Sequence, residues 1–297
     1  VAAIPALHAA RLLTASTPAV LGESPVWDER TDTLYWVDIE RGEVHHCRAD
    51  GSLRGLIPVG QRIGCIALRR DGPGFIAGLE RSIVLLTLDP LRIQPVAELD
   101  AHLAENRCND GKCDAAGRFW VGTCDSGFSN ATGWFFRFDA PGAVMRTAGP
   151  FICTNGPAFS PDGGRIYCVD SYGKAVYQYD LSAAGDLGEQ KIFRRFDAEG
   201  WGYPDGLTCD LSGCVWVAQW GASRVSRFSP EGELLDVIHL PVAQPTSCAF
   251  GGPEFKTLFI TSASQGLRAG SNENGLAGAV FAVDLPCGGL PAARFAG

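Results

Sequence analysis

Six short apolar strand cores recur along the chain, centred on Trp36, Ile76, Trp120, Cys168, Trp216 and Ile260, at steps of 40, 44, 48, 48 and 44 residues. Each core is flanked by turn formers, and a period of roughly 40 to 50 residues with such punctuation is the mark of propeller blades. Within the fourth repeat, Gly156-Pro157-Ala158-Phe159-Ser160 leads through the turn Pro161-Asp162-Gly163-Gly164 to a strand ending at Asp170. A third run over 175–180 and a fourth beginning at Gln190-Lys191-Ile192-Phe193 follow, and the fifth repeat copies the order. The pattern predicts an all-β fold: a six-bladed β-propeller with four antiparallel strands per blade. The run 278–283 is expected to supply inner strands of the last blade, and residues before Glu23 its outermost strand, so that N- and C-terminal strands close the ring. A stretch around 101–105 is the main helical candidate, too short to alter this reading.

Five repeats begin with a polar residue, Glu23, Asn109, Asn155, Asp205 and Thr246, standing 13, 11, 13, 11 and 14 residues before the strand centres. First strands of blades line the central channel, so equivalent offsets place these side chains on a ring at one mouth. Glu23, Asn155 and Asp205 then bring two carboxylates and an amide oxygen together, hard donors for one divalent cation: Ca, Mg, Mn, Fe(II) or Zn. Asp205 in Pro204-Asp205-Gly206 and Asn155 before Gly156 are also ordinary turn formers. Glu23 in Gly22-Glu23-Ser24-Pro25 is not, since Glu is a poor turn residue.

Composition narrows the classes. Of 297 residues, 46% are apolar and 20% charged, with 37 glycines and 18 prolines scattered between the strand cores, so one domain over 1–297 with a sizeable core is expected and a flexible linker is not. The net charge of −8, with no Lys/Arg cluster, argues against nucleic acid and against an anionic membrane surface as partners. The cysteine count of 11 is odd and shows no pairing pattern, which together with the missing leader points to free thiols and a cytoplasmic setting. Cys209 and Cys214 have only loosely metal-like spacing, on two strands across a turn. The five histidines match none of the repeat heads, and no Gly-x-Ser-x-Gly elbow or phosphate loop is present.

Several motifs resemble the family of senescence marker protein 30, gluconolactonase and luciferin-regenerating enzyme. Leu21-Gly22-Glu23-Ser24-Pro25-Val26-Trp27 resembles its metal-binding Glu motif, Thr154-Asn155-Gly156 its Asn ligand motif, and Tyr203-Pro204-Asp205-Gly206 the segment whose Asp binds metal and is proposed as catalytic base. Asn106-Arg107-Cys108-Asn109-Asp110-Gly111-Lys112 resembles the segment whose Arg and second Asn hold substrate. The resemblance spans nearly the whole chain and implies hydrolysis of a sugar (aldono) lactone to its aldonic acid in pentose or hexose catabolism. It implies Glu23, Asn155 and Asp205 as ligands, Asp205 as base, and Arg107 and Asn109 as substrate-binding residues. Animal members carry a substrate-contacting Glu where this chain has Gly127, which leaves the sugar open; Asp125 is a nearby candidate to compensate. Gln61 and Arg62 at the head of the second blade are candidates for the polar rim, Trp220, Trp201 and Tyr203 for aromatic walls, and the loop 265–275 for a partial cover. Asp110 and Lys112 are read as structural. Two other classes stay open: a calcium-dependent phosphotriesterase or aryl esterase on a similar propeller, and a non-catalytic propeller that binds metal or a small ligand. Oligomeric state is not legible.

Overall fold

A computed structural model describes residues 9–139, 142–267 and 275–297. Six four-stranded antiparallel sheets surround a central channel. Their innermost strands are Gly22–Asp28, Ile63–Leu68, Asn106–Cys113, Thr154–Phe159, Tyr203–Cys209 and Pro245–Gly251. The strands next to them, such as Thr33–Asp38, Phe119–Asp125 and Val215–Trp220, carry the six apolar cores read from the sequence. Packed between neighbouring blades, these second strands are buried on both faces, which is why they read as continuous apolar runs. Outer strands alternate or face water, and Ala143–Arg146 is exposed throughout. The stretch 101–105 is turn rather than helix. Helical structure is slight, with one 3-10 turn at Pro253–Phe255, and among the described residues no helix is long and apolar enough to cross a membrane.

The ring closes as the sequence predicts. In the last blade the order runs Pro245–Gly251, Thr257–Ser262, Val280–Asp284, Arg11–Thr14, so the N-terminal strand pairs outside the C-terminal one, with Arg11 opposite Ala282 and Thr14 opposite Val280. Pairing the two ends covers an edge that an open array would leave exposed. A second tie comes from the C-terminal tail. Gly289 bridges to Asp210 on the fifth blade, and Phe295 then joins the second blade, its N–H donating to Leu68 O at 2.8 Å and its carbonyl accepting from Arg70 N at 2.8 Å. Arg294 adds ion pairs to Asp28 and Glu29 at 2.7 Å each. The tail therefore straps one mouth of the channel from side to side.

Indole anchors repeat between blades. Trp120 Nε1 donates to Asp114 at 2.8 Å and Trp216 Nε1 to Asp210 at 3.0 Å, while each Asp also accepts backbone N–H groups of its own turn. Arg118 and Arg227 complete the two clamps. A buried indole finds its partner in this way, and the carboxylate fixes the turn between first and second strands.

Candidate active site

Every innermost strand breaks register with its neighbour near its head, between Glu23 and Val26, Ile63 and Cys65, Cys108 and Gly111, Asn155 and Ala158, Pro204 and Leu207, and Pro245 and Ser247. A bulge inserts an unpaired residue and re-aims its side chain. The polar heads sit at or beside these bulges, and that places Glu23, Asn109, Asn155 and Asp205 on one cavity of about 400 Å³. Arg107, Cys153, Ser171, Gln244 and the aromatic rings of Phe128, Tyr172, Tyr203 and Trp220 complete most of its wall.

Glu23 and Asp205 are both buried, and each carboxyl acts on the other. Burial, then the neighbouring Asp205 and Asp110, push the Glu23 carboxyl well above its ordinary range; burial, then Asp110, does the same to Asp205. Two carboxylates so placed cannot both ionise without a compensating positive charge. Asn155 Nδ2 donates to Ser171 Oγ at 2.9 Å, while its Oδ1 accepts from Asn109 Nδ2 at 2.9 Å and keeps a second lone pair. Three oxygens from three blades thus suit a hard divalent cation, whose charge would offset that of the two carboxylates. Arg107 Nη1 donates to Asn109 Oδ1 at 2.6 Å and to Cys108 O at 3.0 Å, leaving its remaining N–H groups for a ligand. Its guanidinium lies 5.8 Å from the centre of the Phe128 ring, which stacks on Tyr172 at 5.1 Å.

Among the remaining candidates, Trp220 lines the cavity and Gln61 and Asp125 do not. Gln61 is exposed, and Arg62 is paired with Glu80 at 3.2 Å. Asp125 turns away to accept N–H groups from Ser129, Asn130 and Gly127 at 2.9, 3.1 and 3.3 Å. Those bonds hold its carboxyl below the ordinary range, the Ser129 bond foremost, and fix the loop that carries Phe128. Thr246 is spent on the ring seam, its hydroxyl bonded to Gly22 O and Thr261 Oγ1. Trp201 packs into its blade against Phe196 and Phe228, whereas Tyr203 stands at the mouth. Gln265 and Gly266 reach the cavity edge, and the remainder of the loop expected to cover it, residues 268–274, lies outside the described residues.

The offset rule misses Gln244 and Ser171 in the cavity wall, while Asp110 is structural as read from the sequence. Gln244 precedes its strand and lines the cavity, and its Oε1 is buried with no hydrogen-bond partner among the described residues. Asp110, beside Asn109, accepts from Gly111 N at 2.7 Å and Gly156 N at 2.9 Å, tying the third blade to the bulge that presents Asn155. Lys112 Nζ crosses the channel to Leu207 O.

Asp38, Glu43 and His45 also lie close enough to hold a cation. Asp38 already accepts from Val20 N at 2.8 Å and Arg41 N at 3.2 Å, and His45 Nε2 pairs with Glu43 at 3.0 Å, so this group clamps a turn. A second cavity of about 430 Å³ lies at the strapped mouth, lined by Lys112, Phe250 and Leu290 among mostly apolar neighbours, and it gathers no comparable set of polar groups.

Comparison with known proteins points the same way. The family model "SMP-30/Gluconolactonase/LRE-like region" matches residues 21–264. The chain is 39% identical to the 6-deoxy-6-sulfogluconolactonase of Pseudomonas putida over 282 residues, 94% of this chain and 96% of that one. It is 36% identical to the L-arabinolactonase of Azospirillum brasilense over 290 residues, 96% and 95% of the two chains. Among solved structures, a calcium-binding protein, regucalcin, from Agrobacterium tumefaciens superposes with a TM-score of 0.91 at 26% identity, covering 97% of each chain.

Proposed function

The chain belongs to the SMP-30/gluconolactonase/LRE-like family, and on that premise we propose that it is a sugar lactonase opening an aldonolactone to its aldonic acid at the cavity of Glu23, Asn155 and Asp205. The observation that carries this reading is the buried carboxylate pair opening on a cavity beside Arg107 and Asn109, supported by relatives that are lactonases by name.

Glu23, Asn155 and Asp205 hold one divalent cation, which when bound polarises a carbonyl oxygen and acidifies water. Arg107 and Asn109 bind ring hydroxyls, Arg through its free N–H fork and Asn through its amide. The aromatic wall packs against the carbon face of the ring and keeps bulk water off one side. Water adds to the lactone carbonyl as Asp205 takes its proton at a carboxylate oxygen. The ring C–O bond then breaks, and the departing oxygen receives a proton to become the hydroxyl of the acid.

Acid release from glucono-, galactono-, xylono- and arabinonolactones, followed with cation, with chelator and with Asp205→Ala, tests the proposal. Cation-dependent turnover that Asp205→Ala lowers by about a hundredfold or more is expected. No rate above spontaneous opening with any lactone and any cation would overturn it.

A further inference from the structure

No disulfide joins the cysteines of this chain, and ten of the eleven are buried. Two of them stand apart from the rest. Cys124, in the second strand of the third blade, and Cys153, just before the inner strand of the fourth, are partners in an isolated antiparallel bridge between blades. Residues opposed in this way have Cα atoms about 4.5–5.5 Å apart, inside the range a disulfide spans. Opposed residues of an antiparallel pair send their side chains to the same face, so the two sulfurs are neighbours. Cys153 lines the cavity, so a small solute that enters the pocket meets one member of the pair. Arg107 lies close enough to act electrostatically on both.

The surroundings of Cys153 connect the pair to the chemistry above. Its Sγ receives the amide of Asn155 at 3.8 Å and that of Asn109 at 3.9 Å. One is a proposed cation ligand and the other a proposed substrate contact. A sulfur drawn to about 2.05 Å from its neighbour leaves both amides and shifts the backbone that feeds directly into Thr154 and Asn155.

We infer that Cys124 and Cys153 form an oxidation site, a dithiol in the cavity wall that hydrogen peroxide converts to a disulfide and that thereby weakens ligand binding at Asn109 and Asn155. Cys153 Sγ attacks one peroxide oxygen, the O–O bond breaks, and hydroxide leaves with the thiol proton as water, giving a sulfenic acid. Cys124 Sγ then attacks the Cys153 sulfur, the S–O bond breaks, and hydroxide leaves with the Cys124 proton as a second water. Two thiols are oxidised by two electrons and one peroxide is reduced. Of the other nine cysteines, eight are buried and the half-buried Cys287 lies on the C-terminal tail; none of the nine lines this pocket, so a peroxide that enters it meets this pair.

The experiment treats the folded full-length protein with hydrogen peroxide and maps its thiols by mass spectrometry, then measures Mn(II) binding before and after. A single Cys124–Cys153 link, reversed by dithiothreitol, is expected, with Mn(II) affinity reduced by about tenfold. Cys124→Ser and Cys124→Ala should keep their affinity through the same treatment; two variants are used because either alone could disturb the core. A full thiol count after peroxide, or a link between Cys65 and Cys108 instead, overturns the inference. A Cys124–Cys153 link with unchanged Mn(II) affinity overturns the coupling to the site. Thiol mapping does not depend on lactone turnover, so its failure and a failure of the lactonase reading are separate results.

Discussion

Glu23 and Asp205 show how much one proton matters in a buried pair of carboxyls. Both carboxyls are held above the range of about 4 that they have in an unfolded chain, so the folded protein carries a proton that the unfolded one releases. Their contribution to stability is therefore complete at acid pH and declines as pH rises through the folded-state values. In chelator, the melting temperature should fall as pH rises above the ordinary carboxylate range, and a divalent cation should restore it most at the alkaline end, where no proton competes. Melts of the wild type and of Glu23→Gln compared over that range measure this; equal slopes for the two proteins would show that the pair is not the cause. Gln244 makes a different prediction. Its side chain lines the cavity and its buried Oε1 has no partner among the described residues, so a rotation of the amide would let a substrate hydroxyl satisfy it. Gln244→Ala should raise KM roughly fivefold, about 1 kcal/mol, with a smaller change in kcat, and a kcat loss at constant KM would contradict that role.

At the scale of strands and turns, the bulge is what turns a repeat into a site. Apolar second strands were plain in the sequence because burial on both faces keeps their middles apolar, and the matched offsets located Glu23, Asn109, Asn155 and Asp205 because each inner strand bulges at the same level. The same rule misled at Thr246, whose hydroxyl is consumed by the ring seam, and it passed over Gln244, which sits before its strand and so outside the count. Asp125 could not be judged from its position: whether a carboxylate faces a cavity or caps a loop depends on backbone N–H groups that Ser126-Gly127-Phe128-Ser129-Asn130 turn inward. The indole clamps were equally hidden, since they join residues six apart across a turn. They are testable: Asp210→Ala strands the Trp216 indole, two backbone N–H groups and the Arg227 guanidinium, and should destabilise the protein by about 3–5 kcal/mol. Chemical denaturation measures the loss, and Asp210→Asn should recover part of it.

Over the whole molecule, the two termini do different work. The N-terminal strand finishes the last blade, and the C-terminal tail runs from the fifth and sixth blades to the second and third across one end of the channel, with Leu290 to Ala293 facing the cavity there. Lys112 spans the channel above it to Leu207 O, between the apolar cavity and the polar one. The barrel is thus a cup rather than a pipe. Whatever enters past Tyr172 and Tyr203 has to leave by the same door, so the acid formed in one turnover blocks the next lactone until it backs out. Initial rates measured with added aldonate should show inhibition that raises KM and leaves kcat unchanged, and a chain cut short before Leu290 should relax that pattern if traffic through the far end becomes possible.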